Sequence, residues 1–181
     1  MIRVIGGKYK RLRITQPESH LVRPTQDRVR EALFSALGDI EGRRALDLFA
    51  GSGAYGFEAI SRGCKSVVFV DALKLSVDSI KDTIKRIKPT ESVEVYFANY
   101  KKALDKLRGR QFDIVFLDPP YNMDVNKDIV NYLVTNKMLS DNAIVVLEQE
   151  LELEEIEGFV SKMYKYSYKR VGIYRRISQW E

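Results

Sequence analysis

The chain has very few of the residues that form disulfides or bind transition metals. Its 181 residues include one cysteine, Cys64, and one histidine, His20. A single cysteine excludes a disulfide within the chain, and these two residues cannot supply a Cys/His zinc site. We therefore expect Cys64 to be a small buried residue in a reducing compartment, we assign His20 no role, and we predict no metal site.

Long apolar segments are also missing. No run of 18 apolar residues occurs, and the N-terminal stretch lacks the apolar core of a signal peptide. We therefore expect a soluble, cytoplasmic protein with no membrane contact. We also expect a monomer, although the sequence does not determine the oligomeric state. A hydrophobic content of 45% suits one α/β domain that buries roughly 70% of its unfolded surface. We predict a single domain over residues 1–181, with a hairpin and linker extension at 1–24 and the core at 25–181.

Positive charge is concentrated at one end of the chain. Residues 1–30 carry eight basic and two acidic side chains, whereas the remainder carries 22 basic and 23 acidic ones. A basic arm fits a polyanion such as RNA, although a solvated surface segment would explain the charge alone equally well. The candidate RNA-binding residues are Arg3, Lys8, Lys10, Arg11, Arg13, Arg23, Arg28 and Arg30.

Apolar periodicity divides this basic region into two elements. Residues 2–14 predict a short hairpin with a glycine pair between its strands, and an irregular linker follows. Between Thr25 and Gly38 the apolar residues recur at helical spacing, which predicts an amphipathic helix. Arg28 and Arg30 are expected to face away from its apolar stripe.

A strand, a glycine-rich turn and a helix are predicted between Ala45 and Ile60. The turn matches G-x-G-x-x-G at Gly51, Gly53 and Gly56, where glycines allow a ligand to approach the helix N-terminus closely. Taken alone, this pattern would favour a nicotinamide or flavin dinucleotide. The chain lacks the Tyr-x-x-x-Lys pair of many hydride-transfer enzymes, so S-adenosylmethionine is the competing ligand.

Three aspartates, Asp47, Asp71 and Asp118, lie at predicted strand ends. In a doubly wound sheet these ends converge at the topological switch point, so the three acids would surround one ligand. Asp71 ends the apolar run Val67–Val70, where a carboxylate reaches the ribose hydroxyls of an adenosine-containing cofactor. Helix capping or a turn role is the alternative for each acid.

The stretch Phe112–Tyr121 predicts a buried strand followed by a reactive turn. Ile114–Leu117 is a continuous apolar run, typical of a strand covered on both faces. Each following proline fixes φ and lacks an N–H, so the chain leaves the sheet as a stiff turn with carbonyl acceptors. The turn, Asp118-Pro119-Pro120-Tyr121, resembles the signature with which amino-directed methyltransferases hold a planar –NH2 group.

The C-terminal third is predicted to complete the sheet. Ala143–Leu147 is an apolar run that predicts a buried strand, and alternating tyrosines from Tyr164 predict a terminal antiparallel hairpin. Between them lies an acidic run from Glu148 to Glu157, which we interpret as a solvated connection.

These motifs together resemble the bacterial family that methylates a guanine 2-amino group in 16S ribosomal RNA. The matching segments, in chain order, are Arg3–Tyr9, Arg23–Phe34, Asp47–Gly53 and Asp118–Tyr121. The resemblance implies a Rossmann-like class I methyltransferase fold with a mostly parallel seven-stranded sheet, S-adenosylmethionine as the methyl donor, and 16S ribosomal RNA or the small ribosomal subunit as partner. Tyr55 and Asn99 depart from the family pattern.

The resemblance also assigns residue roles. Asp118 and the Pro119 carbonyl would hold the target amine, with Pro120 in the same catalytic turn and Tyr121 stacked on the base. The predicted cofactor-binding residues are Asp47, Phe49, Gly51, Ser52, Gly53, Asp71 and Asn99. Asn99 would contact adenine or, alternatively, cap the next helix.

The sequence leaves several alternatives open. Asp118 could act as a general base or only as a hydrogen-bond acceptor. The target could be an adenine N6 or another guanine, and the chain could be a non-catalytic ribosome-assembly module. The nicotinamide-dependent oxidoreductase is supported only by the glycine-rich turn.

Overall fold

The computed structural model describes residues 2–16, 27–120, 123–149, 155–166 and 169–177. The strands are β1 (Ile2–Arg3), β2 (Arg13–Ile14), β3 (Arg44–Leu48), β4 (Ser66–Asp71), β5 (Ser92–Phe97), β6 (Phe112–Leu117), β7 (Leu139–Gln149), β8 (Phe159–Tyr166) and β9 (Lys169–Arg176). The helices are α1 (Asp27–Leu37), α2 (Ala54–Ser61), α3 (Lys74–Ile87), α4 (Tyr100–Lys106) and α5 (Asn126–Thr135).

Seven strands form one sheet in the order β5-β4-β3-β6-β7-β9-β8. The strands from β5 to β7 in this order run parallel, whereas β9 is antiparallel to both β7 and β8. The predicted Rossmann-like sheet with an antiparallel C-terminal hairpin is confirmed. The chain order reverses between β3 and β6, which places the switch-point crevice at the carboxyl ends of these two strands.

Successive side chains of the central strands point to opposite faces of the sheet and pack into two apolar cores, one on each face. Ala45 and Ile114 pack into the core that contains α1 and α2 residues, whereas Leu46 and Val115 pack into the core that contains α4 and α5 residues. Because both faces are covered, the central strands carry mostly apolar side chains, as predicted from their sequence. Polar side chains can therefore appear only towards the strand ends, where the candidate site lies.

The N-terminal hairpin has shorter strands than predicted, because much of residues 4–12 forms turns instead. Its glycine pair meets the C-terminal half of α2: the backbone N–H groups of Ile5 and Gly6 donate to the buried Glu58 carboxylate at 2.8 and 2.9 Å. A Cβ on Gly7, whose φ is 74°, would lie 1.8 Å from the Ser61 carbonyl oxygen. Only glycine fits there. Ile14 joins the same apolar core as α2.

Helix α1 is described from Asp27, so its predicted N-cap at Thr25 lies outside the described residues. The prediction that Arg30 faces away from the apolar stripe is wrong. Its side chain is fully buried and donates to the Arg3 carbonyl oxygen at 2.6 Å and to Asp27 at 3.0 Å. It also lies 3.9 Å from Glu58. Arg30 is thus a structural ion-pair residue and is inaccessible to RNA.

The acidic run after β7 also differs from its prediction at one residue. Glu148 is still part of β7 and is 3% exposed, and its carboxylate accepts the Tyr55 hydroxyl. Glu155 and Glu157 are exposed, as expected for a solvated connection, and residues 150–154 lie outside the described part.

Within the described residues, none of the helices is both long and apolar enough to span a bilayer.

Candidate active site

The three aspartates come together at the carboxyl edge of the sheet. Asp47 lies within β3, Asp71 ends β4 and Asp118 follows β6. Asp47 is only 2% exposed, and this burial is the main reason that its pKa is raised to about 8. The negative charges of Asp118 and Asp71 add to the increase, whereas a hydrogen bond from the Gly56 N–H opposes it. The site thus concentrates acidic groups in a water-poor setting.

The glycine-rich turn is held in place by two of these acids. Asp47 accepts the Gly56 N–H at 2.9 Å, and Asp71 accepts the Gly51 N–H at 2.7 Å. A Cβ on Gly56 would lie 2.2 Å from the Phe69 ring, so this glycine allows α2 to pack directly on β4. These two acids therefore fix the conformation of the glycine-rich turn.

Phe49, at the start of the turn, has a strained backbone. Its φ is 69°, in the left-handed region that bulky residues rarely adopt. Its ring packs against Tyr100 with 5.4 Å between centroids, and the Ala50 N–H donates to the Val70 carbonyl at 2.9 Å. Such strain is characteristic of ligand-binding turns that the surrounding structure fixes. Ser52 and Gly53 follow in the same turn and are buried.

Asn99 caps helix α4. Its side-chain oxygen accepts the Lys102 N–H at 3.0 Å, which satisfies one of the free donors at the helix start. This is the alternative role that the sequence left open. The adenine contact stays a prediction, and it would have to be made by a side chain whose oxygen already serves the cap.

The turn after β6 is described as far as Pro120. Asp118 is partly buried, Pro119 is buried and Pro120 is exposed. The Pro120 carbonyl accepts the Met123 N–H at 2.9 Å. Tyr121, predicted to stack on the base, lies outside the described residues.

The predicted RNA-binding residues divide into groups. Lys10, Arg11, Arg13 and Arg28 have exposed side chains. Arg3 pairs with Asp27, and Lys8 donates to Thr90 at 2.6 Å and to Glu91 at 2.9 Å. Arg30 is buried, as described above, and Arg23 lies outside the described residues.

The basic turn of the hairpin lies away from the acidic crevice. The Lys8 N–H donates to the Ser61 carbonyl oxygen at 2.7 Å, so the turn contacts the last residue of α2. The glycine-rich turn precedes the first residue of the same helix, and eight helical residues span about 12 Å. RNA held by the hairpin would therefore have to extend along this face to reach Asp118.

A buried pair that sequence reasoning missed lies near the carboxyl ends of β6 and β7. The Tyr55 hydroxyl donates to Glu148, and the Tyr55 ring stacks on Phe116 at 5.2 Å and 5° between planes. Glu148 follows Leu147, which is the parallel partner of Leu117. Strand alternation, which puts Glu148 on the same face as Val146, was the signal that could have revealed it. The surrounding glutamates concealed that signal.

Comparison with known sequences gives consistent matches over most of the chain. The family model described as Conserved hypothetical protein 95 matches residues 2–177. Ribosomal RNA small subunit methyltransferase D of Haemophilus influenzae is 36% identical over 155 residues, which cover 82% of this chain and 79% of that protein. The protein of the same name from Escherichia coli K12 is 34% identical over 152 residues, covering 83% and 76%.

A solved structure agrees with these sequence matches. The protein yhhF from Escherichia coli superposes with a TM-score of 0.88 at 30% identity, covering 98% of this chain and 99% of that one. The likeness therefore includes the N-terminal hairpin region as well as the sheet.

Proposed function

Since this chain belongs to the family described as Conserved hypothetical protein 95, we propose that it methylates ribosomal RNA with S-adenosylmethionine as donor. Relatives that match most of its length are named as ribosomal RNA small subunit methyltransferases. The more specific proposal is transfer to the exocyclic 2-amino group of a guanine in 16S RNA. The observation that carries it is Asp118-Pro119-Pro120 at the carboxyl end of β6, beside Asp47 and Asp71.

The residues around the glycine-rich turn fit the proposed cofactor. The Gly51 N–H of the turn donates to Asp71, whose partly buried carboxylate is suited to ribose hydroxyls. Phe49, Gly51 and Ser52 would line the same pocket. When bound, S-adenosylmethionine supplies an electrophilic methyl group on a positively charged sulfonium, which the acidic crevice would favour.

The contribution of Asp118 follows from the chemistry of the target amine. The lone pair of a guanine 2-amino group is delocalised into the ring, so the nitrogen is a poor nucleophile. If the Asp118 carboxylate and the Pro119 carbonyl each accept one of its hydrogens, the nitrogen is favoured in a more pyramidal form with its lone pair directed at the methyl group. Strong base catalysis is unnecessary, because the methylated ammonium loses its proton readily.

Orientation supplies most of the acceleration in this proposal. Two fixed acceptors and a stiff proline turn hold the nitrogen in line with the methyl group, and such positioning can contribute about 7–11 kcal/mol in favourable cases. The guanine must leave any base stack to reach Asp118, at a cost of a few kcal/mol. Stacking on Tyr121, which is proposed from the sequence motif, would offset part of that cost.

The exposed cations of the N-terminal region are the proposed RNA contacts. Lys10, Arg11, Arg13 and Arg28 are accessible for phosphates. Arg3 and Lys8 are also exposed but are already paired with carboxylates, so they would have to exchange one anion for another. Their net contribution should be smaller.

Mass mapping of 16S RNA tests the proposal. RNA from cells that lack this gene should miss one N2-methylguanosine, and the wild-type gene should restore it. The Asp118→Ala gene should fail to restore it, whereas Asp124→Ala, which removes an exposed acid six residues away, should succeed. Loss of an N6-methyladenosine would instead identify the other base. Restoration by Asp118→Ala would favour a non-catalytic assembly role.

A further inference from the structure

Helix α3 extends from the acidic crevice to the N-terminal hairpin. At its start the Leu73 N–H donates to Asp71, which also holds the glycine-rich turn. In its last two turns the Thr15 N–H, directly after β2, donates to Thr83 at 2.9 Å, and the Thr15 hydroxyl donates to Asp82 at 2.7 Å. The 14 residues of the helix rise by about 21 Å. The helix therefore runs between the two regions that a bound RNA would have to join.

Both acidic residues of α3 are already paired with a cation one turn away. Asp78 pairs with Lys74, and an Asp82 oxygen lies 3.8 Å from an Arg86 nitrogen. Asp82 also accepts the Thr15 hydroxyl of the hairpin region. The acids of this helix are thus engaged by these two cations and by the hairpin, so they do not neutralise its other lysines.

Three lysines of this region keep an exposed, unneutralised charge. Lys81 and Lys85 are one turn apart on α3, about 6 Å along its axis and on the same face, and Lys88 is the C-cap of the helix. No ion pair among the described residues includes any of the three. Lys88 lies two residues before Thr90, which accepts the Lys8 ammonium at 2.6 Å. This lysine row therefore continues the basic surface of the hairpin along α3.

A row of lysines on a helix is ordinarily no more than a solvated surface. Here the row begins where the hairpin is anchored, and its helix begins at the crevice that holds the proposed cofactor carboxylate, Asp71. The acids that would neutralise an ordinary solvated face are paired elsewhere. Its net positive charge and its position between two RNA-related regions complement a chain of phosphates.

We propose that Lys81, Lys85 and Lys88 form a second RNA-contact surface, along which the substrate strand runs from the hairpin towards the crevice. The inference rests on the proposed function for the identity of the partner. A lysine ammonium is a point charge that contacts phosphates without reading bases. The lysine row therefore supplies affinity and register on the RNA, whereas selection of the base belongs to the crevice.

Two matched double variants test the contact. Lys81→Gln with Lys85→Gln removes two charges and keeps residues that favour a helix. It should raise the Kd for 16S RNA roughly tenfold or more at about 0.1 M salt and lower the slope of log Kd against log salt by about one for each lysine. Lys162→Gln with Lys165→Gln removes the same charge from exposed positions of β8, and its slope should equal that of the wild type.

A tethered probe tests where the RNA lies. Cys64 is fully buried and is the one cysteine of the chain, so a cysteine introduced on the surface can carry a single iron chelate that cleaves nearby RNA. Asp78→Cys places the chelate one turn before Lys81 on the exposed side of α3, whereas Ser161→Cys places it on β8. Position 78 should cleave 16S RNA close to the methylated guanine, and position 161 should not.

Thermal melts and S-adenosylmethionine titrations verify that each variant folds and binds the cofactor. A wild-type salt slope in the α3 double variant overturns the inference, and so does an equal decrease in both double variants. Equal cleavage from positions 78 and 161 also overturns it, because the RNA would then have no fixed path on the protein. Wild-type protein that binds RNA along α3 but does not methylate it would overturn the proposed function alone. A failure to bind 16S RNA would overturn both.

Discussion

The Asp71 carboxylate accepts the Gly51 N–H at 2.7 Å through one oxygen and the Leu73 N–H at 2.8 Å through the other. One side chain thus connects the end of β4 to the glycine-rich turn and to the start of α3. Any ligand that uses this carboxylate meets an acceptor whose orientation is already fixed. Binding then requires little ordering of the protein.

Asp71→Ala is expected to weaken S-adenosylmethionine binding by about 1–3 kcal/mol, because the ribose hydroxyls lose an ionised acceptor. Isothermal titration calorimetry measures the difference. Asp78→Ala, on the exposed side of α3, is the matched control and should bind as wild type does. Unchanged affinity in Asp71→Ala would refute the ribose role.

The raised pKa of Asp47 predicts a pH-dependent stability. This pKa is about 8 in the folded chain and about 3.9 in an unfolded one. The folded state therefore holds a proton that the unfolded state releases between these values. The contribution of Asp47 to the free energy of unfolding is fully present below pH 4 and is lost as the pH rises towards 8.

Asp47→Asn removes this titration but keeps an oxygen that can accept the Gly56 N–H. Between pH 5 and 8 the variant should therefore gain stability relative to wild type by about 1.4 kcal/mol for each pH unit. Urea denaturation across that range measures it, with Asp78→Asn as a control that should follow wild type. Parallel curves for Asp47→Asn and wild type would contradict the buried, protonated acid.

Gly7 and Gly109 form a matched pair for testing how the hairpin is anchored. Both have positive φ, 74° and 83°, but a Cβ on Gly7 would collide with Ser61, whereas one on Gly109 would meet no atom within 4 Å. Gly109→Ala should cost about 1–2 kcal/mol of stability for the backbone strain alone. Gly7→Ala should cost clearly more in thermal unfolding and should weaken RNA binding as well. Equal costs would mean that the hairpin is not fixed by this close approach.

The exposed cations of the hairpin should produce a salt-dependent affinity for RNA. Lys10→Gln with Arg13→Gln should raise the Kd for 16S RNA and lower the slope of log Kd against log salt by about one for each lost phosphate contact. Lys162→Gln with Lys165→Gln removes the same charge from β8, where both side chains are exposed, and should leave the slope unchanged. Equal slopes in the two double variants would show that the hairpin makes no phosphate contacts with RNA.

The sheet and the residues at its carboxyl edge were predictable because each strand is indicated by the few residues that form it. Val67–Val70 must be apolar on both faces to lie within a parallel sheet, and Asp71 directly after it must then lie at the edge. Asp47 and Asp118 lie at the ends of two other predicted parallel strands. In a doubly wound sheet the carboxyl ends of such strands lie at the same edge, so both acids were predicted there. None of these inferences needs knowledge of a distant partner.

Arg30 and Glu148 were misassigned because their burial depends on distant partners. Arg30 lies between Asp27 and Glu58, and Glu148 meets Tyr55, which is 93 residues away in sequence. A charge in an amphipathic helix or an acidic run is ordinarily solvated, since an unpaired buried charge is costly. Only the three-dimensional arrangement shows that these two have compensating contacts.

Asp118 accepts a hydrogen bond in the proposed mechanism, whereas a general base would take up a proton. Asparagine separates these roles, because its oxygen can accept from an amine but cannot serve as a base. An accepting role predicts that Asp118→Asn retains measurable single-turnover methyl transfer to 16S RNA. Asp118→Ala should be slower by roughly 10²-fold or more, because one positioned acceptor is lost.

The pH profile gives an independent measure of the same question. If Asp118 were an obligatory base, the wild-type rate would fall as the carboxyl group is protonated, and the Asn variant would lack that limb. Asp124→Asn, an exposed acid beyond the proline turn, serves as the control for a change of charge near the site. Equal inactivity of the Asn and Ala variants, with cofactor and RNA binding intact, would restore the general-base mechanism. Partial activity of the Asn variant would instead indicate that Asp118 and the Pro119 carbonyl accelerate the reaction by orienting the amine.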